Sequence, residues 1–270
     1  MAKRHQPPLG QVFLTDHRIE ERILRSLHLE ADDTVLEIGG GRGNMTELLA
    51  RQAASVRTVE IDSRLVALLR EKFAGNGRVE VLAADILKLP LNNIASSANQ
   101  RRIKVFGNLP YYITSACLLH LFQYHRWIEE IVVMVQQEVA ERIVAAPGSG
   151  DYGLLSITCQ YYTQPELLFS ISPKAFRPQP KVYSALLRMP VAPQGDALGI
   201  TDKDEAAFWR LVKTAFAQRR KTLFNNLKSI CDAELLRRAL ERLQIDARTR
   251  AETLSLAQFA SLQKALRSGD

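Results

Sequence analysis

Short apolar runs rich in β-branched residues recur along the first half of the chain, at Thr34–Ile38, Val56–Ile61, Val79–Ala83, Ile103–Phe106 and Ile131–Val135. Amphipathic segments of helical length separate them. This alternation predicts a parallel sheet with crossover helices. Between the second and third runs, Leu65, Leu68, Leu69 and Phe73 fall at helical spacing, with Asp62 or Ser63 as cap, so the pattern predicts a helix over Asp62–Phe73.

After Gly148-Ser149-Gly150 the pattern predicts a helix over Leu154–Tyr162, then apolar runs at Glu166–Ile171 and Tyr183–Met189 around the Pro-rich stretch 173–180. Those two runs suit an antiparallel pair closing the sheet. The expected fold class is therefore α/β, a Rossmann-like sheet of seven strands. Pro190–Gly199 reads as a linker, and residues 204–267 read as helices without strands. Two domains are expected: residues 1–192, carrying the sheet, and 193–270, small and all-helical. No internal repeat or low-complexity tract interrupts this plan.

Charge adds a direction. The 270-residue chain carries a net charge of +7, which suits a polyanionic partner or an anionic surface. The excess is concentrated late in the sequence, since residues 201–270 hold 14 Lys/Arg against 9 Asp/Glu. Arg219-Arg220-Lys221, in a helical pattern, and Lys228, Arg237, Arg238, Arg242, Arg248 and Arg250 suit phosphate contacts that position RNA without reading bases, although any one of them could equally lie on a solvated helix face. Cys117, Cys159 and Cys231 have neither disulfide-framework nor zinc spacing, and His120 and His125 are wrongly spaced to share a helix face, so no metal site is expected. Met1–Gly10 lacks an apolar leader core, and no 18-residue apolar run occurs, which predicts a soluble cytoplasmic protein without a membrane span.

Cofactor chemistry is written at the end of the first strand. Thr34–Ile38 runs into Gly39-Gly40-Gly41-Arg42-Gly43, and Asn44-Met45-Thr46 opens a helix, so the backbone can turn sharply and approach a ligand. A dinucleotide site would want glycine at 46, where Thr stands, but would share Glu60 as a ribose acceptor. Glu37 before the glycines and Asp85 after the third strand tilt the balance to S-adenosylmethionine, with Glu60 on the ribose and Asp85 on the adenine. Each acid also has a plainer role available, a strand-end surface group for Glu60 and a helix cap for Asp85.

Asn108-Leu109-Pro110-Tyr111 ends the fourth strand on the same sheet edge. The four residues could form an ordinary turn. They also supply an amide, carbonyls, a fixed turn and a ring, which together can hold the amino group of a flat base.

With Gln11-Val12-Phe13-Leu14, Glu37-Ile38-Gly39, Gly41, Gly43, Glu60, Asp85, Asn108–Tyr111, Phe176–Val182 with Ser184, and Arg219–Leu223 with Asn226-Leu227, the chain closely resembles the ribosomal RNA adenine dimethyltransferases over nearly its whole length. Within them it resembles the branch that modifies small-subunit RNA. The resemblance implies a seven-stranded methyltransferase sheet with a helical RNA-binding domain. It implies S-adenosylmethionine held by the backbone near Val12 and Leu14, by Gly39, Gly41, Glu60, Ile61, Asp85 and Ile86, and near Asn108. The implied substrate is a pair of adjacent adenosines in a hairpin loop near the 3′ end of 16S rRNA, each dimethylated at N6, within a partly assembled small subunit, by a monomeric enzyme. The sequence departs from the family where Val12, Gly40 and Tyr112 stand in place of Asn, Pro and Asn. Val12 can then contribute only backbone contacts, Gly40 loosens the loop, and Tyr112 alters the surroundings of the target base.

The expected catalytic residues are Asn108, Leu109, Pro110, Tyr111 and Phe176. The Asn108 oxygen and Leu109 carbonyl would accept the amino N–H bonds, Pro110 would set the turn, and Tyr111 would stack on an adenine withdrawn from its helix. Phe176 would either close the other side of the base or plug its own loop. Catalysis would be mostly positioning, from which about 7–11 kcal/mol is available. Competing functions are dimethylation of large-subunit RNA, a ribosome-assembly or nucleic-acid-binding role with little catalysis, and nicotinamide-dependent oxidoreduction. The long basic C-terminal part favours the small-subunit branch over the first, and intact Glu60, Asp85 and Asn108 argue against the second.

Overall fold

The β-branched runs extend because branched side chains pack well on a pleated surface and lose little freedom there. In the computed structural model, which describes residues 12–96 and 102–268, they form β2 (Thr34–Ile38), β3 (Ser55–Glu60), β4 (Val79–Ala83), β5 (Ile103–Asn108) and β6 (Ile128–Gln136), following a two-residue β1 (Phe13–Leu14). The expectations for Met1–Gly10 and Gln11 lie outside the described residues. β7 (Glu166–Ile171), a two-residue β8 (Phe176–Arg177) and β9 (Ser184–Pro190) complete the strands.

Seven of them make one sheet in the order β4-β3-β2-β5-β6-β9-β7. The first five run parallel, whereas β9 is antiparallel to both β6 and β7. The expected closing pair is therefore present. Its intervening loop holds β8, which pairs antiparallel with β1 through Phe13↔Arg177 and Leu14↔Phe176. Strand order reverses between β2 and β5, so crossovers leave in opposite directions and open a crevice at their carboxyl ends, where ligands of such sheets bind.

Helices α1 (His17–Ser26), α2 (Asn44–Gln52), α3 (Ser63–Lys72), α4 (Asn92–Ser96), α5 (Thr114–Gln123) and α6 (Gln137–Val144) follow in chain order. Asp16 caps α1 by accepting from the Arg18 and Ile19 amides, and Asp62 caps α3 by accepting from Arg64. Val35, Leu49, Val56, Phe106, Val132, Leu186 and Phe176 meet in one buried cluster. A lysine enters the sheet as well: Lys104, on β5, is buried, with Nζ 2.8 Å from both the Asp33 carboxylate and the His28 carbonyl.

The chain divides into two compact units. One runs to Ala140 and resumes at Glu166–Val191; the other holds Glu141–Pro165 and continues from Ala192. The spatial division thus differs from a single boundary at 192, because α7 (Leu154–Tyr162) buries Ile157 and Tyr161 in the helical unit's core with Phe208, Leu211, Leu236 and Phe259. That unit adds α8 (Gly195–Leu198), α9 (Asp202–Ala215), α10 (Leu223–Leu227), α11 (Ala233–Arg242) and α12 (Leu256–Ser268). The stretch expected as a linker contains α8, and Ile200 just beyond it is buried. No helix among the described residues is long and apolar enough to cross a membrane.

Candidate active site

At the carboxyl edge of β2, β3 and β5 lies a cavity of about 250 Å3. Its walls include Val12, Gly39, Gly41, Glu60, Ile61, Asp85, Ile86 and the whole Asn108–Tyr111 turn. Apart from Leu14 and Phe176, eleven residues were expected at the site as cofactor-binding, catalytic or both, and all eleven line this one space. Leu14 borders a second hollow of about 190 Å3 that shares Phe13, Gly39, Gly41 and Asn108 with the first. Phe176 is fully buried in the sheet unit's core, paired with Leu14. It does not border the cavity, so of its two expected roles the geometry displays the plug.

The glycine loop is shaped by left-handed backbone. Gly39 and Gly41 have φ of +80° and +56°, a region costly to residues with a Cβ. The loop's amides are already engaged: Gly39 N donates to the Val59 carbonyl at 2.8 Å, Gly41 N to Glu60 Oε2 at 3.1 Å, and Gly43 N to the Gly40 carbonyl at 2.8 Å. A pyrophosphate cradle needs such amides for its own oxygens, so the loop disfavours a dinucleotide.

Glu60 ends β3 and is almost fully buried; its Oε1 accepts from the Ile61 and Asp62 amides at 2.9 and 3.0 Å. Three backbone donors therefore fix the carboxylate, two on Oε1 and one on Oε2, so Oε2 keeps a lone pair for a ligand hydroxyl. Asp85 caps the helical turn Ile86–Lys88 by accepting from Leu87 N at 3.0 Å. Capping occupies Oδ1, while Oδ2, 3.9 Å from Lys88 Nζ, stays able to accept from a ligand, so the capping role does not exclude a ligand contact. Apolar Ile38, Val59, Ile61 and Ile86 between these acceptors give a flat heterocycle walls to pack on. The chemistry of these residues fits S-adenosylmethionine.

Glu37 lies beneath the loop, fully buried, and its carboxyl is lifted to about 7 by that burial, against the opposing pull of the Thr46 and Thr58 hydroxyls. Thr46 Oγ1 donates to it at 2.5 Å. The Thr that breaks a dinucleotide fingerprint at position 46 thus has a partner, which strand-by-strand pattern could not show.

The Asn108 turn is held from three sides. Asn108 Nδ2 donates to the Val12 carbonyl at 3.2 Å, Leu109 N to the Met134 carbonyl at 3.1 Å, and the Pro110 carbonyl accepts from Ile113 N and Thr114 Oγ1. Val12 contributes through its backbone, as its apolar side chain requires. Tyr111 Oη lies 3.5 Å from Ser184 Oγ. Sequence pattern gave no role to Ser184, nor to Phe13, which lines the cavity with the Arg42 guanidinium 5.1 Å from its ring centroid.

In the helical unit, Arg219-Arg220-Lys221 sits in the turn between α9 and α10, where a helix was expected. Thr222 caps α10, and Asn226 Nδ2 donates to the Ala215 and Gln218 carbonyls at 2.6 and 3.2 Å, folding the turn back on itself. Arg219 donates to the Gly150 carbonyl, Arg237 pairs with Glu234, and Arg248 with Asp246. All nine cationic residues singled out in this segment are exposed. Cys117 and Cys159 are buried, which pushes the Cys117 thiol up to about 12. Among the described residues no cluster of His, Cys, Asp or Glu is arranged to hold a metal ion.

A mostly parallel sheet with its switch-point crevice, a glycine loop whose amides are engaged, carboxylates after successive strands and an Asn-led turn define an S-adenosylmethionine-dependent methyltransferase. A family model described as ribosomal RNA adenine dimethylase matches residues 2–268, and the chain belongs to that family. It is 42% identical to the ribosomal RNA small subunit methyltransferase A of Koribacter versatilis over 97% of this chain and 94% of that protein. It is also 42% identical to the protein of that name from Acidobacterium capsulatum, over 98% and 93%. Among solved structures, a dimethyladenosine transferase from Plasmodium falciparum shares the fold with a TM-score of 0.81 at 24% identity, covering 95% of this chain and 98% of that one. The 23S rRNA methyltransferase ErmE superposes with a TM-score of 0.71 at 26% identity, over 94% and 99%.

Proposed function

We propose that the chain dimethylates N6 of two adjacent adenosines in a hairpin loop near the 3′ end of 16S rRNA, acting as a cytoplasmic monomer on a partly assembled small subunit. The observation that carries the chemistry is the orientation of the Asn108 amide. Its nitrogen is committed to the Val12 carbonyl, so its oxygen is the end left to accept from a substrate. The Pro110 carbonyl is likewise committed, to Ile113 and Thr114, which leaves the Leu109 carbonyl as the second acceptor of the turn.

When bound, S-adenosylmethionine supplies an electrophilic methyl group. The chain supplies position. Adenine's exocyclic amine is a poor nucleophile because its lone pair is delocalised into the ring, and two acceptors on its N–H bonds favour the pyramidal nitrogen that frees that pair. Pro110 holds the turn, and the Tyr111 ring, tethered at Ser184, packs on the base face. The proton leaves N6 for water after transfer, so the site works by orientation. The names of the curated relatives support small-subunit RNA as the substrate.

Labelled S-adenosylmethionine with undermethylated small subunits tests this, with large subunits and naked RNA run beside them. Label is expected on two neighbouring adenosines of the small-subunit RNA; label confined to large subunits would overturn the assignment. Asn108→Ala is expected to lower turnover on the order of 100-fold while weakening cofactor binding far less. Equal losses would remove the transition-state role.

A further inference from the structure

Two exposed rings, one lining the cavity and one on the chain next to a residue that contacts its wall, have no part in the chemistry above. Tyr112 lines the cavity yet is 68% exposed, and Tyr183 is 56% exposed. They belong to one neighbourhood: Tyr112 follows Tyr111, Tyr183 precedes Ser184, and Tyr111 Oη is 3.5 Å from Ser184 Oγ. Both rings stand on fixed backbone. The Tyr183 carbonyl accepts from Gln137 N at 3.0 Å, and the turn before Tyr112 is closed by Ile113 N on the Pro110 carbonyl at 3.1 Å. Large rings held rigidly in water lose contact energy that burial would give, so their placement points to a partner.

The charge around them selects its kind. Glu166–Val191 carries Lys174, Arg177, Lys181 and Arg188 against the single acid Glu166, and Lys174, Arg177 and Lys181 are exposed. An exposed ring among cations on one segment, with a second exposed ring on the turn beside the cavity, matches a single-stranded nucleic acid, whose bases stack while its phosphates pair. A base drawn into the cavity also leaves its neighbours without a stacking partner, a loss that nearby rings can offset.

We infer that Tyr112 and Tyr183 are stacking platforms for the nucleobases that flank the target adenine. The inference rests on the RNA substrate proposed above. The two rings are positioning residues: they hold the strand while one adenosine is in the cavity and keep its neighbour in register for the next exchange. A pair of adjacent targets fits such an arrangement.

The test is methylation kinetics on the RNA or subunit that the parent enzyme accepts. Tyr112→Ala and Tyr183→Ala are each expected to raise KM for RNA about tenfold, within the range for one base–aromatic stack. Tyr112→Phe and Tyr183→Phe are expected to keep the parent KM, and Tyr183→Ala to keep S-adenosylmethionine affinity. An abasic nucleotide beside the target should raise the parent KM comparably and add little in whichever Ala variant has lost that platform. A parent that methylates its RNA while both Ala variants keep its KM overturns the inference and leaves the proposed function standing. Phe variants as weak as Ala overturn it too, because the hydroxyls would then be the contact. A parent inactive on every RNA overturns both proposals.

Discussion

At Gly40 a Cβ would lie 2.1 Å from Thr58 Oγ1 and 3.0 Å from Leu69 Cδ1. The departure from the family's proline was visible along the chain, but its reason was not, because Thr58 sits on the neighbouring strand and only folding brings it there. Backbone φ at Gly40 is not left-handed, so the obstacle is space. Gly40→Ala should therefore destabilise the protein by about 1–3 kcal/mol through overpacking, and Gly40→Ala/Thr58→Ala should recover most of that loss. Urea unfolding of the two single variants and the double checks it; simple additivity would exclude the contact. Much the same limit applies elsewhere in the site. Gly39, Glu60, Asp85 and the Asn108 turn were legible because each ends a strand and carries chemistry in its own side chain or backbone. The hydroxyls of Thr46 and Ser184 were not, since a hydroxyl declares its role only through the partner it meets.

Strands buried on both faces were readable because their apolar residues run on without alternation. Their ends moved by a residue or a few, and β5 gained Gly107 and Asn108, which puts the reactive turn directly on a rigid strand. β1 and β8 were not readable, as two residues hold no periodicity. Arg219–Lys221 was misassigned to a helix because its composition suits one, while Asn226 pulls the preceding carbonyls into a turn. Lys104 is the sharpest case. An ammonium group within a buried strand looks inconsistent with the sheet until Asp33 and the His28 carbonyl are seen beside it. Asp33→Ala should cost about 3–5 kcal/mol, because it leaves a buried cation with only the His28 carbonyl and the half-exposed Glu129 carboxylate at 4.0 Å for compensation. Lys104→Met should cost less, since Asp33 is only partly buried and can rehydrate. Denaturant midpoints at constant slope distinguish the two.

Over the whole molecule, charge looks different when it is counted by compact unit. Along the sequence the cationic excess is late, but Glu141–Pro165 brings Glu141 and Asp151 against Arg142 to the helical unit, while the cation-rich Glu166–Val191 returns to the sheet unit. Each unit therefore has a net positive charge, and four cations of the sheet unit, Lys174, Arg177, Lys181 and Arg188, lie on the same segment as Phe176, Tyr183 and Ser184. Phosphate contacts release counterions, so each one lost lowers the steepness of log affinity against log salt by about 0.7 for a single strand. If both units grip RNA, Arg219→Ala/Arg220→Ala and Lys174→Ala/Arg177→Ala should each reduce that steepness by roughly 1.4, two contacts at this value. Titrations of RNA binding across salt concentrations measure it. A reduction confined to the Arg219/Arg220 pair would return RNA docking to the C-terminal segment alone. Tyr112→Ala and Tyr183→Ala should shift affinity at every salt concentration by the same factor and leave the steepness alone, because a stacked ring displaces no counterion.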